Sequence, residues 1–130
     1  MQIHQSAEDY LETILMLTQR MGRVRSIDVV NELGFTKASV SIAMKKLREN
    51  GYIAVDGEGN LTLLEPGREI AERIYSRHQL LTHFFVQLGV DEEVAAEDAC
   101  KAEHILSEQT LEKIRERAIE TDAELGKTVK

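Results

Sequence analysis

At 130 residues, 42% hydrophobic and 30% charged, the chain has the size and balance of one soluble globular domain, or of two small subdomains sharing a core. No apolar run reaches the roughly 18 residues of a membrane span, and the opening MQIHQSAEDY lacks the basic-then-apolar order of a secretory signal. A single cysteine, Cys100, excludes an internal disulfide, and with no export signal this predicts a cytoplasmic protein.

The net charge of −7 is unevenly spread. Residues 20–50 hold seven basic groups (Arg20, Arg23, Arg25, Lys37, Lys45, Lys46, Arg48) against three acidic ones, a local +4. Residues 91–130 hold twelve acidic groups against six basic, a local −6. A basic segment in an acidic chain fits either a phosphate-binding footprint or a solvated lysine-rich face, and charge alone leaves both open.

In chain order, Ser6 reads as the cap of a first helix whose Leu11, Ile14, Leu15 and Leu17 follow the helical period, ending near Met21-Gly22. Ser26 reads as the cap of a short second helix, SIDVVNEL, which Gly34 stops. Thr36 opens a third, TKASVSIAMKKLRENG, with Val40, Met44 and Leu47 facing inward. Two apolar runs, Tyr52–Val55 and Leu61–Leu64, flank DGEGN and predict a β-hairpin. Pro66 suits the first turn of a long fourth helix. Asp91 reads as the cap of a fifth that continues through Leu106, and Ser107 as the cap of a sixth, EQTLEKIRERAIE. From about Asp122 the apolar stripe ends, which predicts fraying.

Helix, helix, tight turn, helix and two-stranded hairpin is the order of a winged helix-turn-helix, so the fold class expected is mainly α, with a helical domain after the wing. We place the division as 1–65 for the winged helix-turn-helix and 66–130 for the helical domain. The N-terminal half of the third helix would enter the major groove through Thr36, Lys37, Ala38, Ser39 and Ser41, whose small polar side chains permit close approach to base edges. Lys45, Lys46 and Arg48 lie further along, within reach of phosphates. The same three-helix order also serves protein-binding domains.

Ligand-type residues fall on three helices. Asp9 and Glu12 share a face of the first, His78 lies in the fourth, and Cys100, Glu103 and His104 are spaced i, i+3, i+4 in the fifth. Carboxylate, imidazole and thiolate together suit a first-row divalent cation. Each residue also has an ordinary reading: Asp9 as complement of a helix N-terminus, Glu12 as a solvated charge, His78 as a hydrogen-bonded interior residue, Cys100 as a small core hydrophobe.

SAEDYLETILML, SIDVVNELGFTKASVSIAMKKLRENGYI, LTLLEPGREIAERIYSRHQLLTHFF and DEEVAAEDACKAEHILSE occur in one order from about Ser6 to Ala118. Together they resemble the diphtheria toxin repressor and manganese transport regulator family. The resemblance implies a metal-dependent transcriptional repressor that binds a palindromic operator in double-stranded DNA as a homodimer, with Mn(II) or Fe(II) as co-repressor, controlling metal-uptake genes. By the same resemblance Asp9 and Glu12 match the two carboxylates of the manganese branch, His78 the histidine of the fourth helix, and Glu103-His104 the E-H pair. Cys100 departs: the manganese branch carries a bridging glutamate there and the iron-type branch a cysteine. Thr82 stands where iron-type repressors place a glutamate of an ancillary site. The chain also ends before their C-terminal SH3-like domain, which points to the short architecture. No nucleophile or substrate pocket is evident, so no enzymatic role is expected. The alternative is a metal-independent winged-helix regulator.

Overall fold

The computed structural model describes the backbone of residues 5–129 and the side chains of residues 5–124. Six helices and one two-stranded sheet occur in the order α1 (Gln5–Met21), α2 (Ser26–Leu33), α3 (Lys37–Glu49), β1 (Ile53–Val55), β2 (Leu61–Leu63), α4 (Glu65–Gln87), α5 (Glu92–Ala102) and α6 (Glu108–Val129). Two compact units divide the chain between Arg73 and Ile74, within α4.

In the first unit α1 buries Leu11, Ile14, Leu15 and Leu17, the stripe expected from its sequence, together with Tyr10. It packs on α2, α3 and β2, while α3 packs on α2 and β1. Fully burying one such aliphatic side chain contributes about 1.5–3 kcal/mol. Val40, Met44 and Leu47 form the inward face of α3, leaving the opposite face to solvent. Thr36 caps α3 as expected, its Oγ1 accepting from the Ser39 amide at 3.1 Å. The cap of α2 differs by one residue from expectation. Arg25, not Ser26, is extended there, and the Asp28 carboxylate accepts its amide at 2.9 Å, so the acid in the first turn does the capping. Gly34 ends α2 at φ +72°, a left-handed conformation that side chains resist.

The wing is the antiparallel pair β1–β2, with Ile53 opposite Leu63 and Val55 opposite Leu61. Its turn is fixed by Asp56, which accepts from the amides of Glu58 and Asn60 at 2.9 Å and from Asn60 Nδ2 at 2.9 Å. The segment before α2 also pairs with the wing: Leu61 N donates to Val24 O at 2.7 Å, and Arg25 bridges Asn60. That pairing has no periodicity signal, because only two residues take part. Gly67, in the first turn of α4, lies so close to the Tyr52 carbonyl that an added Cβ would collide with it.

The second unit has its core at Leu81, Ala99 and Leu111, joined by Leu80, Phe85, Ala102, Leu106 and Ile114. Small residues on α5, Ala95 and Ala99, are fully buried and let that helix lie close to its neighbours. α5 ends at Ala102, four residues earlier than its sequence suggested, and Glu103–Ile105 form a turn. Ser107 then caps α6, its Oγ accepting from the Thr110 amide at 3.2 Å. Asp91 occupies the cap position of α5, but its side chain makes no capping hydrogen bond. The helix α6 continues to Val129, past the fraying expected from Asp122. Asp122 itself is tied to α4, with His83 Nε2 2.9 Å from Oδ1 and Gln87 Nε2 donating at 2.8 Å. Lys130 lies outside the described residues.

Candidate metal centre and nucleic-acid interface

Four of the six candidate ligands lie in the second unit, and three of them form one cluster. His78, Cys100 and Glu103 each offer a ligand atom, and the three atoms lie within 4.8 Å of one another. His78 comes from the middle of α4 and Cys100 from the last turn of α5. Glu103 keeps helical geometry at the end of α5 (φ −59°, ψ −24°), so the i, i+3 relation to Cys100 survives. His104 falls in the turn beyond and does not continue the helical face.

Glu103 is the centre of this arrangement. Its side chain is 0% exposed, yet it carries a carboxylate. His78 Nδ1 lies 3.1 Å from Oε2, and His104 Nε2 lies 3.5 Å from Oε1. Oε1 accepts no hydrogen bond among the described residues. Burying a carboxylate with an oxygen left unsatisfied costs several kcal/mol unless a cation offsets it. An imidazole at each oxygen, with a thiol alongside, fits a divalent transition metal by donor type. Cys100 is exposed, which removes the reading of this thiol as a core hydrophobe.

One contributor was not foreseen. Arg77, only 15% exposed, donates through Nη1 to the Glu103 carbonyl at 3.2 Å and through Nη2 to the Glu108 carboxylate. It therefore braces the turn that presents Glu103 and His104. A surface arginine beside a candidate histidine carries no sequence signal for that task, because its partner is a backbone carbonyl 26 residues away. Thr82, at the position of the ancillary glutamate, has a buried hydroxyl with no hydrogen bond among the described residues and offers no carboxylate.

Asp9 and Glu12 lie one turn apart on α1 of the first unit. Glu12 is 5% exposed, so it is not the solvated charge that its type suggests. Glu8 rather than Asp9 occupies the first described turn of α1, which weakens the helix-terminus reading of Asp9. Asp9 and burial together push the neighbouring Tyr10 hydroxyl above its ordinary pKa, burial being the larger cause.

On α3, Thr36, Lys37, Ala38, Ser39, Ser41, Lys45 and Lys46 are all exposed, as is Arg48. Thr36 is partly committed, since its hydroxyl donates to Ser39 Oγ at 2.9 Å while accepting the Ser39 amide. Lys45 and Arg48 join Ser26, Ser41, Met44 and Val55 around a cleft of about 250 Å³. The wing tip, by contrast, carries Asp56 and Glu58. Hydrogen bonds from Asn60, above all from its side chain, hold the Asp56 carboxyl below the ordinary carboxylate range. A fixed negative charge at the tip repels phosphate, whereas the exposed face of α3 carries Lys37, Lys45, Lys46 and Arg48.

Against known families, residues 2–61 match the iron dependent repressor N-terminal DNA binding domain, and residues 64–120 match the iron dependent repressor metal binding and dimerisation domain. The chain belongs to this family of metal-dependent, DNA-binding transcriptional regulators. An HTH-type transcriptional regulator of Methanocaldococcus jannaschii is 36% identical over 113 residues, covering 85% of this chain and 90% of that protein. The HTH-type transcriptional regulator MntR of Bacillus subtilis is 35% identical over 109 residues, covering 84% of this chain and 77% of that protein. Among solved structures, a manganese-dependent transcriptional repressor in complex with manganese superposes with a TM-score of 0.75 at 29% identity, over 92% of this chain and 52% of that one. IdeR of T. acidophilum shares the fold with a TM-score of 0.78 at 23% identity, over 90% and 55%. The chain thus spans about half the length of these solved structures. The family, the mainly helical fold and the two-stranded wing expected from the sequence all agree with these findings. No described helix is long and apolar enough to cross a membrane.

Proposed function

We propose that this chain is a cytoplasmic, non-enzymatic repressor that binds a palindromic operator as a homodimer when Mn(II) or Fe(II) is bound, and so controls metal-uptake genes. The observation that carries the reading is Glu103, a buried carboxylate with an imidazole at each oxygen and an exposed thiol within ligand distance. His78, Cys100, Glu103 and His104 are the ligands assigned from the second unit. Asp9 and Glu12 are assigned from α1, and their support is the motif resemblance. The functional division is 1–65 for DNA and 66–130 for metal and dimerisation.

A bound divalent cation supplies the positive charge that neutralises these carboxylates. The protein does the rest. Arg77 fixes the Glu103 backbone, and His78 and His104 orient the carboxylate from its two sides. Thr36, Lys37, Ala38, Ser39 and Ser41 face base edges, while Lys45 and Lys46 neutralise phosphates and set register. Were a metal held more tightly in the operator-binding conformer, the population would shift toward that conformer, and by linkage the operator would tighten metal binding by the same factor. A mobility-shift titration tests the reading. Operator affinity should rise with Mn(II) or Fe(II) and fall with a chelator, whereas affinity indifferent to both indicates a metal-independent regulator.

A further inference from the structure

The exposed side of α3 is not wholly polar. Opposite Val40, Met44 and Leu47 lie Ala38, Ser41, Ile42 and Lys45, at i, i+3, i+4 and i+7, all exposed. Ile42 is 58% exposed and has two basic groups one turn ahead of it on the same helix, Lys45 and Lys46. Part of it borders a cleft of about 380 Å³ shared with Ala7, Tyr10, Ala43 and Leu47, and the rest stays in solvent. A β-branched residue is a slightly poorer helix former than lysine or glutamine, so helix formation does not call for isoleucine there. Scattered exposed apolar residues are ordinary, but this one stands at the centre of the face proposed to meet DNA.

These lysines draw phosphate backbones to the helix and thereby bring base edges to Ile42. In the major groove the base edges present hydrogen-bonding groups and one apolar group, the C5-methyl of thymine. An aliphatic side chain among those edges leaves donors and acceptors unsatisfied everywhere except against that methyl. Ala38, one turn earlier on the same face, has no side chain long enough to hold the helix away. We infer that Ile42 is a specificity-determining residue which packs on a thymine C5-methyl in each operator half-site. The inference rests on the operator-binding reading and names the base chemistry that reading leaves open.

The experiment has two steps. An operator is first selected from a random duplex library with the full chain and Mn(II). Each thymine of the half-site is then replaced by deoxyuridine, which removes the methyl group alone. For the wild-type chain, one position should lose affinity roughly fourfold per half-site, the worth of one buried methyl group. Ile42→Ala should bind the thymine and deoxyuridine operators equally, and so should Ile42→Gln, a better helix former that guards against loss of fold in the alanine variant. Ile42→Val should keep most of the discrimination. The assignment is overturned if no thymine methyl matters to the wild type, or if both variants discriminate as the wild type does. Failure of the library to enrich any sequence either with Mn(II) or, on repetition, with Fe(II) sinks the operator reading and this assignment together.

Discussion

The face of α3 and the cluster around Glu103 solve opposite problems with opposite materials. On the proposed reading the α3 face meets a large polyanion, which suits groups that are exposed, individually cheap to maintain and individually dispensable. The Glu103 cluster suits a small cation, so its central group is wholly buried, costly without a partner and hard to replace. The first kind of site spreads its binding free energy over many side chains. The second concentrates it, and substitutions in the two regions should differ accordingly.

The largest effect is expected at Glu103. Glu103→Ala should abolish metal-dependent operator binding in a mobility-shift assay while leaving circular dichroism unchanged. The metal-free variant should stay folded and lie within about 1–3 kcal/mol of wild type in denaturant melts, because the relieved desolvation of the carboxylate offsets much of the lost imidazole contact and the cavity left behind. A metal-free variant that unfolds would make Glu103 a structural residue. Next comes Arg77. Arg77→Ala should weaken metal binding by roughly 10–100-fold, the usual cost of losing an outer partner of a ligand, with the number of bound ions unchanged. Equal metal affinity in a direct titration would show that the Glu103 turn holds itself.

Cys100 sharpens the comparison by chemistry rather than magnitude. Cys100→Glu should shift selectivity toward Mn(II) in an anaerobic competition, since a hard oxygen donor replaces a thiolate. Unchanged selectivity would remove the thiol from the ligand set. On the α3 side, Lys45→Ala should weaken all DNA sequences about equally and lower the slope of log affinity against log salt by about 1. A sequence-dependent loss would move Lys45 from phosphate to base contact.

The smallest effect is a pH dependence. His83, whose ring bonds its carboxylate, and then Gln87 hold the Asp122 carboxyl below its ordinary pKa of 3.8. A depressed native pKa gives stability that is present above 3.8 and lost as pH falls through the lower native value. Asp122→Asn should therefore melt lower than wild type near neutral pH and converge with it once the pH has fallen below the lowered native value. Parallel curves across that range would show that the carboxylate contributes nothing to holding α6 on α4.

Much of this was legible in the sequence, for identifiable reasons. Helices α1 to α3 and the wing follow period and punctuation: Leu11, Ile14 and Leu17 repeat on one face, and Gly34 and DGEGN mark the breaks. Ligand types were legible too, because few residue types bind metals and the spacing within one helix restricts them. What escaped depends on distant partners. The end of α5 at Ala102 reflects a turn braced by Arg77, and the length of α6 reflects Asp122 meeting His83 and Gln87 from another helix. The pairing of Val24 and Arg25 with the wing is a backbone contact with no side-chain signature. Burial of Glu12 and Glu103 is likewise invisible, since glutamate is ordinarily a surface residue.

The most direct test is the reciprocity of the two regions. Metal affinity of the wild-type chain is titrated anaerobically with Mn(II) and with Fe(II), alone and with saturating operator, and operator affinity is measured with and without the same metal. The account predicts that operator raises metal affinity by the factor by which metal raises operator affinity. In Glu103→Gln both factors should collapse to one. Metal affinity unchanged by operator, in a chain that binds both, would contradict it.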